Sequence, residues 1–480
     1  MGASSLLKDF SEKSLISALR THIASSISKN PDDWIIAQDG GSGLFLSPMQ
    51  NAEAIKEKLY TEFEFLTVNA EIVISYMEIT PGDLETNFKA IVSKLINLSK
   101  IEAMRRTGAG IVSIPPFLHK CDSCGVFPSI PSSVLDYEDR ICASCIEKRE
   151  KMREALKNVN SEDESKIATA KTFHDLVVSP DGTQDANESM AIFYSDGNDM
   201  GRIFNEKLEA GIYEYSKFSK GLSEHIQNCM KATCDELKVD RIDISFGGDD
   251  IFIALRASQS IQFLESLKKH LSLHPDNDIA SIGYSFALIF TKCKYPIRFL
   301  MDYAETLLKS AKKVCYREKA KSVKMPSFAI DFLTIKESSP LSHHLEHLRN
   351  NYTNISRKTR LSKKPYSFEE YQILLSKAKI LKQAAKESKS QLNIIADAII
   401  NQIPEETKLT VDYYFAKLKD SGTPLSKLIE DSLNPSLYDS LIQTSTNSNG
   451  VNETYFFDAL ELSDFIEEDK SKDKSYENNK

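Results

Sequence analysis

DISFGGDDIFIAL, residues 243–255, is two apolar runs closed by a tight turn. Ile242, Ile244 and Phe246 before the turn, and Ile251, Ile253 and Leu255 after it, stand two apart, the period of a strand with one face buried. Gly247-Gly248 allow the backbone to reverse sharply and leave it bare enough to approach a phosphate closely. The stretch therefore predicts a β-hairpin that carries Asp249 and Asp250 at its tip, held at a sheet edge.

Upstream, AIFYSDGNDMG (191–201) is an apolar strand that ends in Asp196, where a neighbouring strand would supply a second anchor for a divalent cation. Carboxylates on adjacent strands can hold two cations about 3.5–4 Å apart, the arrangement that activates a 3′-hydroxyl and neutralises a triphosphate leaving group. Alone, the tetrapeptide is also what an ordinary surface hairpin uses, because Gly and Asp are common turn residues. Asp196 about fifty residues earlier, also placed after a strand, moves the reading towards phosphoryl-transfer chemistry.

Downstream, the pattern predicts a helix over 258–270, a strand over 281–290, a helix over 296–313 and a last strand over 327–335. Lys292 to Lys324 holds ten basic and three acidic residues, with Lys309, Lys312 and Lys313 clustered near the end of its helix. Such a cluster suits a triphosphate wall, although cations also favour helix C-termini and solvated faces for their own sake.

The same order occurs earlier in the chain. WIIAQDGGSGLFLSP (34–48) aligns with the hairpin on its two glycines, and a helix (51–64), a strand (70–79) and a helix (84–104) follow. An internal duplication of a ferredoxin-like unit accounts for this. In the first copy Ser42-Gly43 replaces Asp249-Asp250, and no leading acidic strand precedes it. An amphipathic helix is expected over 11–29, with Leu15, Ile16, Leu19, Ile23 and Ile27 on one face.

Between the copies, Cys121-x2-Cys124 and Cys142-x2-Cys145 have the spacing of a tetrahedral four-thiolate zinc site. With four sulfurs and no open position, such a site is structural. In a reducing compartment this cysteine usage favours metal over disulfides. No apolar run approaches the ~20 residues of a membrane span, and the N-terminus lacks the apolar core of a signal peptide, so the chain reads as cytoplasmic with no membrane partner. Sixty Lys and Arg against 69 Asp and Glu give a net charge of −9, so nucleic-acid contact must come from local patches. Arg357-Lys-Thr-Arg360 and Lys363-Lys364, flanked by Tyr352 and Tyr366, form one such patch, read equally well as a solvated turn. His343, His344 and His347 read as a polar helix face, and His174-Asp175 as a chance pair.

Asp196-Gly-Asn-Asp-Met-Gly201, Tyr215-Ser-Lys-Phe-Ser219, Phe246-Gly-Gly-Asp-Asp250 and the helix from Pro296 through Lys312 resemble the large polymerase-like subunit of type III CRISPR effector complexes. The resemblance covers about residues 30–335. It implies an α+β multidomain fold, with two ferredoxin-like palm domains, an inserted zinc finger and a C-terminal helical domain. On that pattern, residues 1–115 are a degenerate palm, 116–150 the finger, 151–190 a helical connector and 191–338 the catalytic palm. Residues 339–445 are then helical, and 446–480 a polar, partly disordered tail.

The resemblance also implies conversion of ATP into cyclic oligoadenylates, switched on by guide and target RNA within a complex of other CRISPR subunits. Asp196, Asp249 and Asp250 would serve Mg²⁺ or Mn²⁺. Gly197, Ser219, Gly247, Gly248 and Lys312 would bind nucleotide, with Lys312 on the triphosphate and Ser219 lining a base pocket. Asn198 stands where many members have a further acid, and no stretch reads as the His-Asp nuclease domain with which members often begin. Two other functions fit the same residues: a cyclase making a cyclic dinucleotide or mononucleotide, and a non-catalytic scaffold subunit.

Overall fold

The structure is a computed structural model that describes residues 33–39, 41–67, 71–106, 118–130, 140–159, 172–178, 189–319, 327–335, 345, 354–355, 359–401, 406, 408–410, 412–414, 445–446 and 452–466. The helix expected over 11–29, the three histidines at 343, 344 and 347, and Arg357-Lys358 lie outside these residues. The chain divides into two compact units, one of residues 1–171, 199–231 and 242–251, the other of 172–198, 232–241 and 252–480.

In the first unit, β1 (Ile35–Asp39) and β2 (Ser42–Phe45) form the expected hairpin, with Asp39 opposite Ser42. Gly41 turns it at φ 82°, a left-handed conformation that disfavours any residue with a Cβ. Helix α1 (Ala52–Thr67) lays Ile55, Leu59 and Phe63 against Ile35, one turn apart as an amphipathic face requires. The next helix is two: α2 (Pro81–Thr86) and α3 (Phe88–Arg106). Thr80 starts α2 with a capping box, its hydroxyl accepting from the Asp83 amide and the Asp83 carboxylate accepting from the Thr80 amide.

Residues 71–80 are not the strand the alternation of Ile72 and Ile74 suggests. Both side chains do pack on the Ile35 cluster. The Ile74 peptide, however, is satisfied by a side chain: its N–H donates to the Tyr60 hydroxyl at 3.0 Å, and its carbonyl accepts from the same hydroxyl at 3.4 Å. Alternation reports which face is buried, and a ladder also needs a partner strand.

The second unit holds most of a six-stranded sheet built on a βαββαβ frame. Its strands are β3 (Ser189–Gly197), β4 (Arg241–Gly247), β5 (Asp250–Arg256), β6 (Tyr284–Lys292), β7 (Ala329–Thr334) and β8 (Tyr366–Ser367), ordered β8-β7-β6-β3-β5-β4. The four strands β6-β3-β5-β4 are the ferredoxin-like core, extended by β7 and β8. β3 runs antiparallel to β6, β6 parallel to β7, and β7 antiparallel to β8.

The connections of the βαββαβ frame are helical: α6 (Met200–Ala210) and α7 (Ile212–Leu237) follow β3, and α8 (Ala257–Leu271) follows β5. Helix α10 (Ile297–Lys319) leads out of β6, after the single turn α9 (Asn277–Ala280) that precedes the strand. Leu300, Tyr303, Ala304, Leu307, Leu308 and Ala311 of α10 repeat every three or four residues and are buried. Phe263 of α8 meets Phe193 of β3 edge-on at 5.3 Å. Because helices cover the sheet, β6 reads as an apolar run, Phe286 through Phe290, rather than an alternating one.

The C-terminal segment departs from its polar composition. The long helix α11 (Phe368–Asn401) lies within the stretch expected to be helical, and a short helix α12 (Phe456–Ser463) packs along it. Residues 452–466 are thus folded chain inside the expected tail. Ahead of α12, residues 452 and 453 pair in parallel with Thr359 and Arg360. Asp458 on α12 accepts from Ser362 Oγ at 3.1 Å, from the Lys363 amide at 2.8 Å and from the Tyr366 hydroxyl. Lys364 pairs with Asp458 at 3.6 Å and with Glu461, while its ammonium sits 3.8 Å from the centroid of the Phe332 ring. Lys364 and Tyr366 are therefore interior groups, which corrects their reading as part of an RNA-facing patch.

Candidate functional site

Asp196 is the penultimate residue of β3, opposite Ser285 of β6, and its side chain is 20% exposed. It forms an ion pair with Lys312, which projects from α10 and is 24% exposed. The basic cluster thus splits by position on its helix: Lys312 turns to the strand end, while Lys309 is exposed and pairs with Glu305 one turn earlier at 3.3 Å, and Lys313 is exposed. Gly197 closes β3 opposite Tyr284, and Asp199 adopts a left-handed conformation at φ 60° just before α6.

The Gly-Gly-Asp-Asp stretch forms the predicted hairpin tip. Gly247 ends β4, Gly248 turns at φ 66°, and Asp250 begins β5, with Asp249 in the turn between. All four are half-buried. Gly248 and Gly41 occupy the same place in the two aligned hairpins, and both take the left-handed conformation that makes glycine necessary there. Ser219 lies on α7 and is buried, at 8% exposure. In the sheet, β5 is the strand next to β3.

Asn198, two residues beyond Asp196, uses both ends of its amide. Its Oδ1 accepts from Ser285 Oγ at 2.8 Å, and its Nδ2 donates to the Ser327 carbonyl at 3.3 Å. Its backbone N–H donates to the Gly283 carbonyl at 2.8 Å. Gly283 has no room for a side chain, since a Cβ there would lie 2.3 Å from the Ser327 carbonyl oxygen. Sequence reading missed these partners, which lie 87 and 129 residues away from Asn198. It also missed the Asp196–Lys312 pair as a contact within the protein.

His174-Asp175 has a local explanation. Thr172 caps α5 (Phe173–Val177) by accepting from the Asp175 amide at 3.2 Å, and the Asp175 carboxylate accepts from the Thr172 amide at 2.7 Å. A capping box thus accounts for the acid.

The four cysteines of the two CxxC pairs come together, with their sulfurs all within 4.8 Å of one another. Cys124 and Cys142 are 3.8 Å apart, the separation of two sulfurs about 2.3 Å from one tetrahedral zinc. Gly125 at φ 69° makes the first knuckle, its N–H bonding to the Cys121 carbonyl at 2.8 Å, and Cys145 lies in the first turn of α4 (Ala143–Val159). Amides point at sulfur: Cys124 N–H and Cys142 N–H donate to Cys121 Sγ at 3.5 and 3.3 Å. Burial raises the Cys121 thiol, but the amides of Cys124, Cys142 and Ser123 outweigh it and hold the group at about 6. Burial pushes the Cys142 thiol up to about 12. Converging sulfurs and donors aimed at a thiolate form a cluster that could hold a thiophilic metal ion, and Ile141, Phe127 and Ile146 pack around it.

A βαββαβ sheet with an acidic strand end and a Gly-Gly-Asp-Asp hairpin defines a palm domain. Residues 189–322 match the family described as the second palm domain of Cas10/Cmr2, so this part of the chain is Cas10-like.

Solved structures extend the likeness over the whole chain. A Csm1–Csm4 cassette in complex with cA4 superposes with a TM-score of 0.53 at 9% identity, over 97% of this chain and 66% of that one. The cassette in complex with cA3 gives 0.53 at 11%, over 97% and 66%. The one in complex with pppApApA gives 0.50 at 11%, over 96% and 68%. At these identities the likeness is one of fold, and this chain spans about two thirds of the length of those chains. No curated protein matches the sequence.

Proposed function

We propose that this protein converts ATP into cyclic oligoadenylates, with Asp196, Asp249 and Asp250 holding Mg²⁺ or Mn²⁺ and with activation by RNA in a complex of CRISPR subunits. The observation that carries the reading is Asp196 at the end of β3, held in an ion pair with Lys312 of α10. Carboxylate oxygens are the donors such hard cations take. The chemistry the cations supply when bound is activation of a 3′-hydroxyl and neutralisation of the triphosphate.

In this reading the chain's own residues do the rest. Lys312, already beside Asp196, offers its ammonium to the triphosphate, and Gly197, Gly247 and Gly248 bring bare backbone to the phosphates. Ser219 borders the base. The superposed cassettes are complexes with cA4, cA3 and pppApApA, which favours adenine nucleotides over other substrates. Structural zinc on Cys121, Cys124, Cys142 and Cys145 braces the finger. The first hairpin, with Ser42-Gly43 at its tip, binds no catalytic metal and serves by packing.

The test is chromatography of products after incubation with each nucleoside triphosphate and Mg²⁺ or Mn²⁺, with and without RNA. Cyclic oligoadenylates from ATP alone are the expected result; a cyclic dinucleotide or mononucleotide would reassign the product. No product under any condition would favour a scaffold. In the same assay Asp39→Ala is expected to retain turnover that Asp249→Ala abolishes, and equal loss would refute the division of labour between the hairpins.

A further inference from the structure

Position 198 is where the family resemblance leads one to look for a second acid, and the side chain found there is engaged in another way. Asn198 is 8% exposed, accepts from Ser285 and donates to the Ser327 carbonyl. That carbonyl also accepts from Cys315 Sγ at 3.5 Å, Ser327 Oγ donates to the Cys315 carbonyl at 3.4 Å, and Cys315 Sγ lies 3.6 Å from Ser285 Oγ. Cys315 stands three residues beyond Lys312 on α10, one turn along the same side of the helix. The network therefore ties the end of the strand that bears Asp196 to the helix that bears Lys312, through β6 and the residue leading into β7.

We infer that Asn198 is a positioning residue that sets Asp196 against Lys312, and that position 198 takes no metal. The chemistry of the amide carries this. A carboxylate at 198 would still accept from Ser285, but its other oxygen would face the Ser327 carbonyl with no proton to give, leaving a buried anion against an acceptor. Only a side chain that both donates and accepts fits. The metal part of this inference rests on the reading of Asp196 as a metal ligand.

The experiment uses the full chain and Mn²⁺ alone, titrated by electron paramagnetic resonance, together with thermal melting. Asp196→Asn defines the signal that belongs to this site. Asn198→Asp is expected to lower the melting temperature by about 5 °C and to bind Mn²⁺ no more tightly than wild type. Asn198→Ala should weaken Mn²⁺ binding roughly tenfold or more while the protein stays folded, the loss typical when a group that orients a ligand is removed. Ser285→Ala, a milder change, should weaken it a few-fold. Tighter Mn²⁺ binding by Asn198→Asp would make position 198 a ligand and overturn the inference, as would unchanged Mn²⁺ affinity in Asn198→Ala. Identical titrations of wild type and Asp196→Asn would be a different failure: the metal reading itself would fall, and the positioning role with it.

Discussion

Replacing Asp249 and Asp250 together by asparagine is expected to leave the protein folded and its zinc bound while abolishing nucleotide products. The change keeps the volume of each side chain and the turn that Gly248 makes at φ 66°. It removes charge from two neighbouring carboxylates that repel each other when no cation lies between them, so stability should hold or rise slightly. Turnover has no such tolerance. Loss of one well-placed electrostatic element costs on the order of 10²–10³ in rate, and the loss of cation anchors costs more. ATP binding should survive in part through Lys312 and the glycine backbone. Labelled ATP followed into products, with circular dichroism and zinc content measured on the same preparation, checks all three statements. Full activity of the double variant, where wild type is active, would remove the catalytic reading of the hairpin.

The second large effect is expected at the cysteine cluster. Purified protein should carry one zinc per chain, and changing Cys121, Cys124, Cys142 and Cys145 to serine should remove it and unfold the finger. Among the described residues, the apolar packing around the cluster is Ile141, Phe127 and Ile146. Zinc binding in comparable peptides is worth about 10–16 kcal/mol in apparent free energy, far beyond what so small a core could replace. Elemental analysis reads the metal, and limited proteolysis between residues 118 and 146 reads the fold. Wild-type protein without zinc, or a serine variant as protease-resistant as wild type, would refute it.

The parts of this protein that were legible in its sequence are those whose cause is local. Gly247-Gly248-Asp249-Asp250 could be placed at a hairpin tip because alternating Ile residues and a turn glycine act within a dozen positions. The cysteine pairs could be grouped because their spacing alone fits a tetrahedron. What escaped depends on distant partners. Asn198 reads as a lost acid until Ser285 and Ser327 are found on either side of its amide. Lys363-Lys364 reads as a solvated charge run, yet Asp458, far along the chain, draws Lys364 inside. In the first unit, Ile72 and Ile74 alternate as a strand should, and only Tyr60 shows where the backbone of Ile74 is satisfied. Phe456, Ala459 and Leu462 do repeat at helical spacing, but the charged residues around them hid so short a helix.

The folded segment at 452–466 sets the boundary for recombinant fragments. A piece of the chain designed around the motif-bearing residues 191–338 would omit α12 and the strand and loop it clasps. A longer piece that stops before Tyr455 would keep Lys364 but discard Asp458 and Glu461, leaving an ammonium in the interior with neither acid. Breaking a buried pair in this way costs about 3–5 kcal/mol, a large share of the stability of an ordinary domain. The same cut removes Phe465, whose ring stacks on Phe290 of β6 at 3.8 Å between centroids. Fragments ending at 451 are therefore expected to be recovered largely as aggregate, and fragments carried through Ile466 as dispersed protein, a difference that size-exclusion chromatography of the two lysates would display directly.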